Sequence, residues 1–103
     1  MIFIREKDKL ALQQLAKRHI KTHCKVLAFG SRVDGTAHDT SDLDLVIRSA
    51  NDEALAVDEF MAFKDAVQNS NIPILVQVFD WGRVPESFKA EILSNNEILV
   101  EVE

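Results

Sequence analysis

Apolar residues recur along the chain at two spacings, one typical of amphipathic helices and the other of buried strands. The helical spacing predicts three helices, near residues 6–22, 52–69 and 85–94. Short apolar runs predict four strands, at residues 25–30, 43–48, 74–80 and 98–102. Helices that alternate with buried strands predict an α/β (α+β) fold, in which helices flank a mixed central sheet of about four strands.

The ends of these elements are marked by polar residues and by proline. The second helix is expected to be capped by Ser49, Asn51 or Asp52. Its core face is predicted from four apolar residues at helical spacing: Val57, Phe60, Met61 and Val67. Pro85 fits the first turn of the third helix. The last strand is predicted at an edge of the sheet, because glutamates alternate there with apolar residues and discourage pairing with another sheet.

Length and composition narrow the class of protein. The chain has 103 residues, 47% of them hydrophobic and 28% charged, and it contains no repeat or linker, so residues 1–103 are expected to form a single domain. The net charge of −5 disfavours sequence-independent binding to nucleic acid. A single cysteine, Cys24, excludes an intrachain disulfide. The charged N-terminus and the short apolar runs indicate neither a signal peptide nor a membrane span, so a cytoplasmic location is expected.

The segment with the most chemical information begins where the first strand meets Gly30 and Ser31. A residue without a Cβ lets a bulky anion approach the backbone, and a serine that opens a helix turns its amide and hydroxyl towards that anion. Asp42 and Asp44 follow, two residues apart on the second predicted strand, so both carboxylates project from one face. Paired carboxylates suit Mg²⁺, which removes their mutual repulsion and also binds phosphates.

A third acidic residue, Asp80, ends the third predicted strand. If that strand lies beside the second, Asp80 completes a carboxylate triad. Two metal ions roughly 3.5–4 Å apart would then clamp the attacking and leaving oxygens of a phosphoryl displacement. The alternative is that Asp80 caps a turn at the end of the strand. The adjacency of the two strands is a hypothesis at this stage.

The order Gly30-Ser31, a turn closed by glycine, Asp42-Leu43-Asp44 and a later Asp on a strand resembles the minimal nucleotidyltransferases. These proteins belong to the DNA polymerase β-like nucleotidyltransferase superfamily, and the resemblance covers roughly residues 26–82. It implies a nucleotidyltransferase fold, with ATP as substrate and two Mg²⁺ ions as cofactors.

The same resemblance implies a role for each matching residue. Gly30 and Ser31 would hold the β- and γ-phosphates. Asp42 and Asp44 would hold both metal ions, and Asp80 would bind the catalytic metal and help to deprotonate the acceptor. A basic residue often occupies the position after the serine, so Arg32 would steady a phosphate; an ion pair of Arg32 with Asp34 or Asp39 is an equal alternative. Asp34 departs from the family pattern, in which a basic or neutral residue is common.

Many minimal members of this superfamily are encoded beside a HEPN-domain protein and act as the antitoxin of that pair, and some transfer AMP to a tyrosine of the HEPN toxin. The resemblance therefore implies a HEPN partner, which would present the acceptor hydroxyl that so short a chain does not supply. Three functions stay open: adenylylation of the partner, neutralisation of the partner by contact with weak or no catalysis, and transfer of a nucleotide to a small molecule. Self-association or a heteromer is also expected from the small core.

Other residues favour structural roles. His19 and His23 are one helical turn apart and, with Cys24, suggest a zinc site, but histidines near a helix C-terminus are favoured by the helix dipole in any case. His38 is expected to be a solvated loop residue. Trp81 is expected to pack in the core or to anchor an interface.

Overall fold

The structure is a computed structural model that describes residues 1–38 and 40–103. Four α-helices and four strands are described, together with one 3-10 turn. In chain order these are α1 (Glu6–His19), β1 (Cys24–Phe29), α2 (Ser31–Asp34), β2 (Leu43–Ser49), α3 (Val57–Gln68), β3 (Val76–Asp80), the 3-10 turn (Trp81–Arg83), α4 (Glu86–Ser94) and β4 (Asn96–Val102).

The four strands form one mixed sheet in the order β3-β2-β1-β4. β1 pairs antiparallel with β2 and β4, whereas β2 and β3 are parallel and are joined by α3 as the crossover. The predicted α/β architecture and the edge position of the last strand are confirmed. The adjacency of β2 and β3, on which the acidic triad depended, is confirmed as well.

Apolar residues cover both faces of the sheet, and each face packs against different helices. On one face α1 and α3 contribute Leu12, Ala16 and Phe63 to the larger core. On the other face α4 contributes Ile92 to a smaller cluster with Trp81. The sheet is thus a central layer between two helical layers, which leaves the ends of the strands free to carry functional groups.

Helix α3 differs from its prediction at its beginning and in part of its buried face. It begins at Val57 after Ala56, and the predicted cap Ser49 instead donates its hydroxyl to Glu53 O at 2.6 Å in the preceding loop. Val67 is buried and Phe60 packs against the core, as predicted. Val57 is 62% exposed and Met61 39% exposed, and Phe63 is fully buried instead. Because Ser49 bonds to the loop, the helix begins only after that loop, at Val57. The rotation of the helix about its axis is set by the packing of Phe63 in the core.

Helix α1 begins at Glu6 as predicted but ends at His19, three residues before its predicted end, and α4 matches its predicted range to within one residue. Pro85 is the N-cap of α4 and precedes its first residue by one position. Within the described residues, no helix is long and apolar enough to cross a bilayer.

Candidate active site

The bend after β1 depends on the missing side chain of Gly30. Its backbone has φ 82° and ψ −155°, a conformation that only glycine adopts readily. A Cβ at this position would lie 2.6 Å from Oδ2 of Asp44. The antiparallel register pairs Phe29 with Asp44 and thereby places the bend beside the second strand. Gly30, Ser31 and Asp44, which the sequence predicted to act together, are therefore neighbours.

The two paired carboxylates are both half-buried at the start of β2. Burial raises the pKa of Asp44, and the charges of Asp42 and Glu91 raise it further. A divalent cation between Asp42 and Asp44 would offset that repulsion, and two carboxylates are hard oxygen ligands of the kind that Mg²⁺ prefers. These two residues therefore fit one Mg²⁺ ion.

The residue of β3 that faces this pair is Gln77. The parallel register places Gln77 beside Asp44, and its Nε2 donates a hydrogen bond of 2.9 Å to Oδ2 of Asp42. Sequence reasoning missed this residue. The sequence signal that could have identified it is that Gln77 is the one polar residue in the apolar run of residues 74–79. A polar residue within an otherwise buried strand is unusual and therefore informative.

Asp80 does not join the pair, so its predicted metal-binding role is corrected here. In the register it lies beside Ile47, three residues beyond Asp44, which is ~10 Å along the strand and on the opposite face of the sheet. The residue is only 3% exposed.

The carboxylate of Asp80 has other partners. It accepts hydrogen bonds of 3.0 Å from the backbone N–H groups of Leu55 and Gly82, and it lies 3.4 Å from Nε of Arg83. Asp80 is the N-cap of the 3-10 turn after β3, so the alternative prediction that it caps a turn at the strand end is confirmed. The two-metal centre that depended on Asp80 loses its third carboxylate with it.

Arg32 lies in α2 with only 7% of its surface exposed. Its guanidinium donates to three backbone carbonyls: Phe3 at 2.7 Å, Ser41 at 2.9 Å and His38 at 3.2 Å. These bonds tie the N-terminal segment and the loop before β2 to the Gly-Ser bend. Contact of Arg32 with a phosphate stays a prediction, and the predicted pairing with Asp39 lies outside the described residues.

The other residues singled out from the sequence differ in burial and in their partners. Trp81 is buried and stacks under the guanidinium of Arg48, whose Cζ is 4.2 Å from the ring centroid, so the packing role is confirmed. Asp34 accepts hydrogen bonds from the amide and hydroxyl of Thr36, which lower its pKa. Cys24 is buried in β1, and His38 is exposed. Across residues 1–38 and 40–103, no group of three His, Cys, Asp or Glu residues is arranged to hold a metal ion.

Known proteins are similar to this chain in sequence. The family described as polymerase beta, nucleotidyltransferase matches residues 11–103. A probable protein adenylyltransferase MntA of Haemophilus influenzae is 36% identical over 85 residues, which cover 80% of this chain and 70% of that protein.

Solved structures show the same fold. The chain superposes on a crystal structure of a toxin-antitoxin with AMP-PNP with a TM-score of 0.71 at 19% identity, covering 92% of this chain and 73% of the other. It superposes on the toxin-antitoxin MntA-HepT with a TM-score of 0.67 at 14% identity, covering 92% and 71%. The nucleotidyltransferase fold that the sequence resemblance implied is confirmed.

Proposed function

Because this chain belongs to the polymerase beta nucleotidyltransferase family, we propose that it transfers AMP from ATP to a tyrosine hydroxyl of a HEPN-domain toxin and so acts as its antitoxin. The observation that carries this proposal is the contact between the Gly30-Ser31 bend and Asp44. It joins an anion-binding bend to a carboxylate pair, which are the two parts that phosphoryl transfer to a hydroxyl requires.

Each part of the site has a role in this reaction. The amide and hydroxyl of Ser31 hold the terminal phosphates of ATP, and Gly30 lets those phosphates approach the backbone. Asp42 and Asp44 would hold Mg²⁺, which supplies charge neutralisation for the phosphates when it is bound. The acceptor oxygen forms a bond to the α-phosphorus while the bond from that phosphorus to the bridging oxygen breaks. Pyrophosphate leaves, and the hydroxyl proton passes to solvent water.

The partner is inferred from the relatives. The H. influenzae relative is described as a probable protein adenylyltransferase, and a similar structure is a toxin-antitoxin MntA-HepT. Asp42 and Asp44 keep part of their surface exposed at the start of β2, so an acceptor on another polypeptide can reach them. A protein that uses ATP to silence a toxin would act in the cytoplasm.

A labelling experiment tests the proposal. The chain is incubated with the protein encoded beside it, with Mg²⁺ and ATP labelled on either the α- or the γ-phosphate. We expect the partner to become labelled by α-labelled ATP and not by γ-labelled ATP. When the Asp44→Asn variant replaces the parent chain, we expect the partner to stay unlabelled. Label from the γ-phosphate would indicate phosphorylation, and equal labelling by Asp44→Asn would contradict the assigned site.

The second candidate function is neutralisation of the partner by contact alone. The observation that favours it is that an amide, Gln77, lies beside the acidic pair. A third carboxylate at this position would help to bind metal, and its absence would weaken catalysis. A stable complex in which the toxin is inhibited but carries no label would support this second function over the first.

A further inference from the structure

We infer that Gln77 limits the acidic site to one divalent cation and so sets the metal stoichiometry of this nucleotidyltransferase, an inference that rests on the proposed function. The structure places an amide on β3 beside Asp44 of β2 and within hydrogen-bond distance of Asp42, which precedes that strand. The number of ions that a site holds depends on how many anionic oxygens converge on it.

The first argument is the bond that Gln77 makes. Its Nε2 lies 2.9 Å from Oδ2 of Asp42, so a hydrogen-bond donor already occupies one oxygen of the pair. The amide N–H that faces Asp42 is repelled by a cation, whereas a carboxylate at the same place would be an anionic ligand. Gln77 therefore keeps Asp42 oriented in the absence of metal and removes one ligand from any second ion.

The second argument is that the other nearby acids do not replace the missing ligand. The carboxylate of Asp80 is buried on the opposite face and bonded to Leu55 and Gly82. Glu91 on α4 is close enough for its charge to raise the pKa of Asp44. Nevertheless, among the residues that the structure describes, Glu91, Asp42 and Asp44 do not form a group arranged around a metal ion. Two carboxylates with a charge of −2 match a single dication.

The isosteric substitution Gln77→Glu tests this directly, because it replaces only the amide nitrogen by oxygen. Gln14→Glu is the matched control, since Gln14 is an exposed residue of α1 and the substitution adds the same charge. Bound Mn²⁺ is counted from the electron paramagnetic resonance signal of the free ion, with each protein saturated with α,β-methylene-ATP, whose α–β linkage resists cleavage. We expect one ion in the parent and in Gln14→Glu, and two in Gln77→Glu.

A second readout needs no nucleotide. With a chelator present, Gln77→Glu should unfold at a lower temperature than the parent, because three carboxylates then repel one another. Added Mn²⁺ should raise its midpoint more than it raises that of the parent or of Gln14→Glu, because an ion that binds the folded state stabilises it.

The outcomes separate the inference from the proposed function. Two ions in the parent, or one in Gln77→Glu, would overturn the inference while the transfer reaction stands on the labelling experiment. Equal Mn²⁺-induced shifts in all three proteins would also overturn it. A parent that binds neither Mn²⁺ nor the nucleotide would contradict the proposed function, and the inference would fall with it.

Discussion

A Cβ on Gly30 would lie 2.6 Å from Oδ2 of Asp44, so the backbone of the bend after β1 and a carboxylate of β2 pack directly against each other. The contact brings the Gly30-Ser31 bend, which we propose binds the phosphates, next to a carboxylate of the acidic pair. Gly30 is favoured here by the positive φ of its backbone, and any side chain at this position would have to displace the Asp44 carboxylate.

Substitution of Gly30 is expected to impair the site as well as the fold. Gly30→Ala should lower the free energy of unfolding by about 1–3 kcal/mol through backbone strain, and its Cβ should displace Asp44. Gly35→Ala is the control, because Gly35 also has a positive φ of 88° but nothing lies within 4 Å of its would-be Cβ. That variant should lose about 1 kcal/mol and keep its transfer activity. Chemical denaturation and AMP transfer are measured for both; equal activity in the two would refute the steric argument.

The carboxylates of Asp80 and Asp44 are expected to respond in opposite ways to neutralisation. Asp80→Asn should cost about 2–3 kcal/mol of stability, because one of its two backbone donors would then face an amide nitrogen. Its folded fraction should retain AMP transfer. Asp44→Asn should be at least as stable as the parent, because it removes a half-buried charge that Asp42 repels, and should lose roughly 100-fold or more in transfer rate.

Thermal unfolding and initial transfer rates of these two variants decide between the structural and the catalytic interpretation of Asp80. A stable but inactive Asp80→Asn would restore the carboxylate triad that the register excludes.

Arg32 is expected to stabilise the frame of the site. Arg32→Lys should lower stability by about 3 kcal/mol, because one ammonium group cannot bond the carbonyls of Phe3, Ser41 and His38 together. Chymotrypsin should then cleave after Phe3 faster than in the parent. Arg18→Lys, at an exposed position of α1, should change stability by less than about 0.5 kcal/mol. Unchanged proteolysis of Arg32→Lys would show that these bonds do not hold the N-terminal segment.

The thiol of Cys24 is expected to resist alkylation in the folded protein. The side chain is 1% exposed, and burial, with a smaller contribution from the charge of Glu59, raises its pKa to about 11. At pH 8 its thiolate fraction is then ~100-fold below that of an ordinary thiol. Iodoacetamide should label the unfolded chain in urea rapidly and the native chain slowly. The labelling rate of the native chain should increase as the pH rises towards 11. Rapid native labelling at pH 8 would place Cys24 in a more open environment.

Much of the site could be predicted from the sequence because its parts are local. The Gly30-Ser31 bend follows directly on a buried strand, and Asp42 and Asp44 are two residues apart, so strand alternation alone gives them one face. The helix over Val57–Gln68 was predicted, and Phe60 and Val67 of its predicted face do pack into the core. The burial of Phe63 was not predicted, because the rotation of the helix about its axis depends on packing against the rest of the core.

The sequence by itself determined the order of helices and strands, the family resemblance and the acidic pair, because these depend on spacing along the chain. The tertiary structure alone decided which residue of β3 faces that pair. Asp80 and Gln77 are three positions apart on one strand, and the parallel register with β2 places Gln77 beside Asp44 and leaves Asp80 on the other face. Register is fixed by packing between strands that are distant in sequence, so no local pattern could assign it.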